Sequence, residues 1–166
     1  MLVAAMNPCP CGYQGDTQHS CTCTPAMIQR YRTRLSGPLL DRIDLQVEVP
    51  RVPHSDLADT RPAEASVVIR GRVEQAREIQ QARFSRLRIH CNARMGPKQL
   101  QAFCSADTAG QDLLKQVTDR LGLSARTYTR LLKVARTIAD LAGSESIAVN
   151  HLAEAIQYRS LDRKTS

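Results

Sequence analysis

The chain has 166 residues, 42% of them hydrophobic and 23% charged, enough for one domain or two small ones with a core of their own. No run approaches the roughly 18 apolar residues that a helical bilayer span requires, which excludes that class, and 4% aromatic residues with no Trp disfavour a single-strand binder built on stacked rings. Lys and Arg number 23 against 16 Asp and Glu, a net charge of +7, and residues 61 to 94 alone hold eight Arg against three Glu. A basic stretch of this kind either meets a polyanion, such as nucleic acid or nucleotide phosphate, or is a solvated helix face, and the charge pattern leaves both readings open.

The apolar run from Leu2 to Met6 predicts a buried strand, followed by a Cys-rich loop. Thr24 and Pro25 form an N-cap and first-turn proline, predicting a helix from Pro25 to about Leu35 that Ser36-Gly37-Pro38 interrupts. Leu39 to Ile43 is expected as a short helix, and the alternation of Leu45, Val47 and Val49 with Gln46 and Glu48 as a half-buried strand. Pro50, Pro53 and Pro62 mark a linker, beyond which the pattern turns helical. Ile69, Val73, Ala76 and Ile79 share one face of a helix from about Ser66 to Arg83, and Gln99 to Phe103 is expected as a short turn. Leu113, Leu114, Val117 and Leu121 mark a helix stopped by Gly122. Ser124 caps the next, which carries Leu131, Leu132, Val134, Ala135 and Ile138 to Leu141 and meets Gly143 at its end. A last helix runs from about Asn150 to Arg159, with Leu152, Ala155 and Ile156 inward. The expected division is a first domain over residues 1–50, a linker over 51–65 and a small helical bundle over 66–166, in a mainly α chain.

Cys9-Pro10-Cys11 and Cys21-Thr22-Cys23 place four thiols in two tight pairs across a short loop, with Gly12 and Gly15 available for turns. Four thiolates suit a closed, structural tetrahedral zinc site, and they leave no open position for catalysis. One intervening residue is tighter than the usual two to four, His19 could replace one sulfur, and free thiols or redox use stay open as alternatives. Cys91 and Cys104 read as ordinary buried thiols. Met1 is not followed by the basic and apolar regions of a secretory signal, so the expected compartment is the reducing cytoplasm. Asn7 follows the first apolar run, at the strand end where an open α/β sheet places ligand-contacting groups. Arg42 stands between a helical turn and a strand, and Arg126 in the first turn of a helix, where the positive dipole end suits an anion. Taken alone, each has a plainer explanation: a turn-capping Asn, an Arg paired with Asp41 or Asp44, a surface Arg.

The stretches LVAAMNPCPCG, RYRTRLSGPLLDRIDLQVEVP and SARTYTRLLKVARTIADL resemble, in order and over nearly the whole chain, the C-terminal half of the magnesium-chelatase-like AAA+ ATPases, in their ComM-like branch. The resemblance implies residual strands and an arginine-finger helix from a truncated α/β core, then a C-terminal helical lid. It implies the sensor 1 polar group at Asn7, the arginine finger at Arg42, and the sensor 2 arginine at Arg126, with Arg34 as a second basic group at the same edge. The two-pair cysteine loop is a mark of this branch and is missing from the true chelatase subunits, so no porphyrin is expected. A phosphate loop of the form G-x-x-x-x-G-K-[ST] is absent, as is an apolar strand ending in Asp-Glu. The chain is therefore expected to be a fragment without ATPase activity of its own, from a parent that binds ATP and Mg and assembles into a hexameric ring acting on DNA in recombination or transformation. A zinc-loop nucleic-acid-binding module and a non-catalytic helical adaptor are the alternatives.

Overall fold

The computed structural model describes residues 2–58 and 61–159; Met1, Asp59, Thr60 and everything after Arg159 lie outside the described residues, as do the side chains of His54, Ser55 and Leu121. The described chain is mainly helical, with helices α1 Pro25–Arg32, α2 Gly37–Leu40, α3 His54–Leu57, α4 Ser66–Arg83, α5 Pro97–Phe103, α6 Thr108–Leu121, α7 Ala125–Leu141 and α8 Val149–Gln157, and a 3-10 turn at Asn92–Arg94. It divides into two compact units, Met1–Leu40 with Glu48–Asp59, and Asp41–Val47 with Thr60–Ser166.

In the first unit, Thr24 Oγ1 accepts from Met27 N and Pro25 opens α1. This helix ends at Arg32 rather than near Leu35, because the next amides bond three residues back, to Tyr31 and Arg32, in a tightening turn. The Ser36 carbonyl then accepts from Leu39 and Leu40, starting α2 before Leu39 and closing it at Leu40, so Arg42 follows the helix instead of sitting in it. The expected strand at Leu2–Met6 does not form. Its backbone has no ladder among the described residues, and Leu2 and Val3 are 75% and 81% exposed. Cys9 and Leu40 are the buried apolar residues of this unit among those described.

In the second unit the expected strand at Leu45–Val49 is reduced to one parallel bridge between Gln46 and Arg159, and a second bridge joins Ala106 to Ile147. A strand exists only through the backbone of a neighbour, and the apolar positions Leu45 and Val47 of this segment stay exposed. The helices, by contrast, are defined by local chemistry. Asp107 caps α6 by accepting from Gly110 N, and Gly122 ends it with φ 58°, in the left-handed region a side chain would penalise. Ser124 caps α7 by accepting from Thr127 N, and Gln99 Oε1 accepts from Gly96 N at the start of α5. Helix α7 is the centre of this unit, packing against α8, α4, α5 and the 3-10 turn, while α6 packs on α8. Its inward stripe Leu131, Leu132, Ala135 and Ala139 meets Leu152, Ala155 and Ile156 of α8, with Phe84, Met95, Cys104, Leu114 and Ile147 completing the core. Full burial of each large aliphatic side chain contributes roughly 1.5–3 kcal/mol. Gly110 permits the approach of α6 to α8, since a Cβ there would stand 2.9 Å from Leu152 Cδ1. Helix α4 joins this core only from Ala76 onward; Ile69 and Val73, expected inward, are exposed.

Polar groups close one side of this core. Asp140, wholly buried, accepts from Arg83 Nη2 at 2.5 Å and Nη1 at 2.8 Å, from Asn92 Nδ2 at 2.7 Å and from Arg136 Nε at 3.1 Å. Arg136, equally buried, spends its remaining donors on the carbonyls of Ser144 and Glu145, and the Asn92 amide donates to Gln80 Oε1. The cluster ties together α4, the 3-10 turn, α7 and the α7–α8 loop. Arg83, one of the eight arginines of the basic stretch over residues 61 to 94, belongs to this network and so to neither of the two readings of that stretch, a polyanion-facing surface or a solvated helix face. Asp140→Ala would leave two guanidinium groups without their carboxylate, one of them fully buried, and is expected to destabilise this unit by about 3–5 kcal/mol in urea unfolding; an unchanged midpoint would show the network to be dispensable.

Candidate functional site

The four paired cysteines converge. Their Sγ atoms all lie within 4.8 Å of one another, with Cys9–Cys11 at 3.4 Å, Cys9–Cys21 at 3.7 Å and Cys11–Cys21 at 3.6 Å. A tetrahedral ion bound at about 2.3 Å per sulfur holds its ligands about 3.8 Å apart, so the donor set has nearly the spacing such an ion needs. Two turns build the loop: Gly12 N donates to Cys9 O with Gly12 at φ 85°, and Asp16 N donates to Tyr13 O with Gly15 at φ 82°. Asp16 then accepts from the amides of Gln18 and His19 and pairs with Arg51, bonds that hold its carboxyl below the ordinary range. His19 is not part of the cluster. It shares a 2.7 Å hydrogen bond with Arg51 Nη1 and stacks on Tyr13 at 4.9 Å.

The sulfurs are electrostatically unequal. The backbone amide of Tyr13 is the largest influence on Cys11; burial opposes it, but the Thr22 amide and the neighbouring thiols add to it and bring the Cys11 thiol down to about 5. The Cys11 amide favours the Cys23 thiolate, yet burial and the sulfurs of Cys11 and Cys9 outweigh it and push Cys23 up to about 12. Without a metal, then, the loop holds a thiolate at Cys11 and a thiol at Cys23 near neutral pH. Of the remaining cysteines, Cys104 is buried in the helical core, where loss of water pushes its thiol up to about 11, and Cys91 is half-buried.

Asn7 lies in the first unit, exposed, with its carboxamide about 3.7 Å from the space a Gly12 side chain would fill. It is thus beside the first cysteine turn and not at the end of a strand. Arg42 and Arg126 both belong to the second unit and are both exposed. Arg126 is the second residue of α7, as the capping pattern predicts. Neither guanidinium has an ion pair or hydrogen bond among the described residues, although Asp41 and Asp44 stand beside Arg42 in sequence. Asp44 pairs with Arg130 and Asp41 with Arg159, which leaves Arg42 without the partners its neighbours in sequence suggested. Sequence reasoning missed Arg130 and Arg159 as the partners of this segment, because they are 86 and more residues away and nothing local couples them. Arg34 is also exposed, in the first unit.

Comparison with known proteins matches the family "Magnesium chelatase, subunit ChlI C-terminal" over residues 63–159 and "Magnesium chelatase, subunit ChlI" over residues 1–57. Competence protein ComM of Haemophilus influenzae is 44% identical over 163 residues, covering 98% of this chain and 31% of that protein. An uncharacterized protein of Escherichia coli, YifB, is 45% identical over 164 residues with the same coverage, and an uncharacterized protein of Mycobacterium tuberculosis is 37% identical over 158 residues. The chain spans about a third of the length of these relatives. With its helical unit matched almost from end to end, the chain belongs to the magnesium chelatase ChlI family, and it is similar to the ComM and YifB proteins.

Proposed function

We propose that this chain is the sensor, arginine-finger and lid portion of a ring-forming AAA+ ATPase that couples ATP hydrolysis to the remodelling of DNA. The observation that carries the reading is that the exposed guanidinium groups of Arg42 and Arg126 make no ion pair or hydrogen bond among the described residues, while Arg130 and Arg159, which contact the segment of Arg42, are committed to carboxylates and carbonyls. A guanidinium whose nearby carboxylates are engaged by other arginines, as at Arg42, suits a group that meets an anion from elsewhere. Hydrolysis of ATP spreads negative charge over the γ-phosphate oxygens, and a cation delivered to that charge accelerates the step by roughly a thousandfold or more. In this reading Arg42 reaches the nucleotide of an adjacent subunit, Arg126 meets the phosphates of its own subunit with the positive end of α7 behind it, and Asn7 orients the attacking water. The phosphate cradle and the carboxylates that hold Mg²⁺ belong to the part of the parent outside this sequence; the described residues contain no carboxylate cluster suited to that ion.

The same proposal gives the cysteine loop a structural role. Its four sulfurs fit zinc in number, softness and spacing, and the first unit has little else to fold around, with Cys9 and Leu40 as its buried apolar residues among those described. Small units of this kind generally need a metal or a cross-link. DNA is the proposed polyanion because Arg70, Arg77, Arg86 and Arg88 are exposed along and just beyond α4, and the ComM relative is named a competence protein. Binding through such a face should weaken steeply as salt rises, with little sequence preference.

Two measurements test this reading. In a protein of the relatives' full length, Arg42→Ala and Arg126→Ala should each lower ATP turnover by a factor on the order of a hundred or more, and the present chain alone should hydrolyse nothing; turnover that survives both substitutions overturns the assignment. For the loop, elemental analysis should give close to one zinc per chain, with Cys9→Ser abolishing it. Cys23, at about 12, and Cys21, which is also raised, carry protons at neutral pH that zinc displaces. Apparent affinity should therefore fall about a hundredfold per unit as pH drops from 8 to 7, measured against a competing chelator. A pH-independent affinity would mean these thiols are not the ligands.

A further inference from the structure

Residues 41–46 carry Arg42, and they are clamped to the same helix that carries Arg126. Asp41 Oδ1 accepts from Thr127 Oγ1 at 3.0 Å and Oδ2 from Ser124 Oγ at 3.3 Å, placing a carboxylate at the positive end of α7. Ser124 and Thr127 flank Arg126 on either side. Arg130, one turn along from Arg126, donates to the carbonyl of Arg42 itself at 2.6 Å and also to the Asp44 carboxylate. Behind this, Arg159 Nη1 donates to Ile43 O and Gln46 N to Tyr158 O at 2.8 Å, so both flanks of the segment are fixed to the one unit. The backbone of Arg42 is thus held while its guanidinium projects free.

We propose that Asp41 and Arg130 are positioning residues that lock Arg42 to helix α7, so that Arg42 and Arg126 move as one body. The inference rests on the reading of these two arginines as nucleotide-facing groups of adjacent sites. A rigid link between them has a consequence that neither arginine has alone. When phosphate draws Arg126, α7 and the helices fixed to it move as one body, and the same motion carries Arg42 toward or away from the neighbouring subunit's nucleotide. Occupancy of one site is thereby communicated to the next through Asp41 and Arg130, with no further element required between the two arginines. The link is built from side-chain contacts at one helix end and not from the hydrophobic core, so it can be loosened without unfolding the unit.

The experiment is a double-mutant cycle on a protein of the relatives' full length, reading ATP turnover against ATP concentration. Asp41→Ala and Arg130→Ala should each lower kcat about tenfold while leaving KM nearly unchanged, and should flatten a sigmoidal dependence toward a hyperbola. Added to Arg42→Ala, either substitution should cost nothing more, because the group through which it acts is already gone. Asp41→Asn, which keeps an acceptor for Thr127, should recover most of the loss. Helix content and the melting temperature of each variant are followed in parallel; if Asp41→Ala does not fold, Arg130→Ala, which leaves the Ser124 cap intact, carries the test. Equal losses in the wild-type and Arg42→Ala backgrounds would overturn the proposal, as would full activity of both variants while Arg42→Ala alone is impaired. Unimpaired turnover of Arg42→Ala would instead overturn the role of Arg42 itself, and the coupling with it.

Discussion

The second unit depends on a single buried charge. Asp140 sits among helices with no water to solvate it, a cost that only paired and hydrogen-bonded cations can offset, and the chain brings Arg83 from α4 and Arg136 from its own helix to do so. Because both oxygens are fully used, the directions of approach of α4, the 3-10 turn and the α7–α8 loop are fixed together. A hydrophobic core of Leu, Ala and Ile would tolerate rotation of one helix on another; four directional bonds to one carboxylate do not. Helix α7 is the element they fix, and α7 presents Arg126 at one end and holds the Arg42 segment beside it. The direction of the helix that carries Arg126 is therefore set about four turns away, by the Asp140 cluster.

The first unit solves the same problem of cohesion by other means. It buries very little hydrocarbon, and its ordered parts are turns, short helices and polar contacts such as Asp16 with Arg51 and Arg32 with Gln14. Turns and surface ion pairs contribute little individually. The convergence of four sulfurs at near-ligand spacing is then a concentrated feature of the unit's described residues, and the loop's backbone amides favour the thiolate of Cys11.

Much of this was legible in the sequence wherever the information is local. Thr24, Ser124, Gly122 and Gly143 mark helix ends because capping chemistry acts over three or four residues, and the stripe along α7 follows from its period. The paired cysteines were readable for the same reason. What was hidden is non-local. The segments Leu2–Met6 and Leu45–Val49 carry the right residues, yet a strand is a property of two segments, and among the described residues these find no more than the single bridge of Gln46 to Arg159. Ile69 and Val73 have helical spacing toward a face that the core does not reach. Arg83 looked like one more surface charge, because its partner lies 57 residues away; the pairing of Arg130 with Asp44 was invisible on the same ground. The roles proposed for Asn7, Arg42 and Arg126 come from a family pattern, to which the structure adds that all three residues are exposed.

The account turns on a division of labour between subunits: one arginine serves the subunit that carries it and the other serves its neighbour. That division can be read by mixing. Full-length Arg42→Ala and Arg126→Ala proteins, each strongly impaired alone, form an intact site wherever an Arg42→Ala subunit holds the nucleotide and an Arg126→Ala subunit supplies the finger. Random equimolar assembly makes about a quarter of the interfaces intact in a closed ring. The most direct measurement is ATP turnover across mixing ratios: the account predicts recovery that peaks near equal amounts, and activity that stays at the level of the separate variants at every ratio would contradict it.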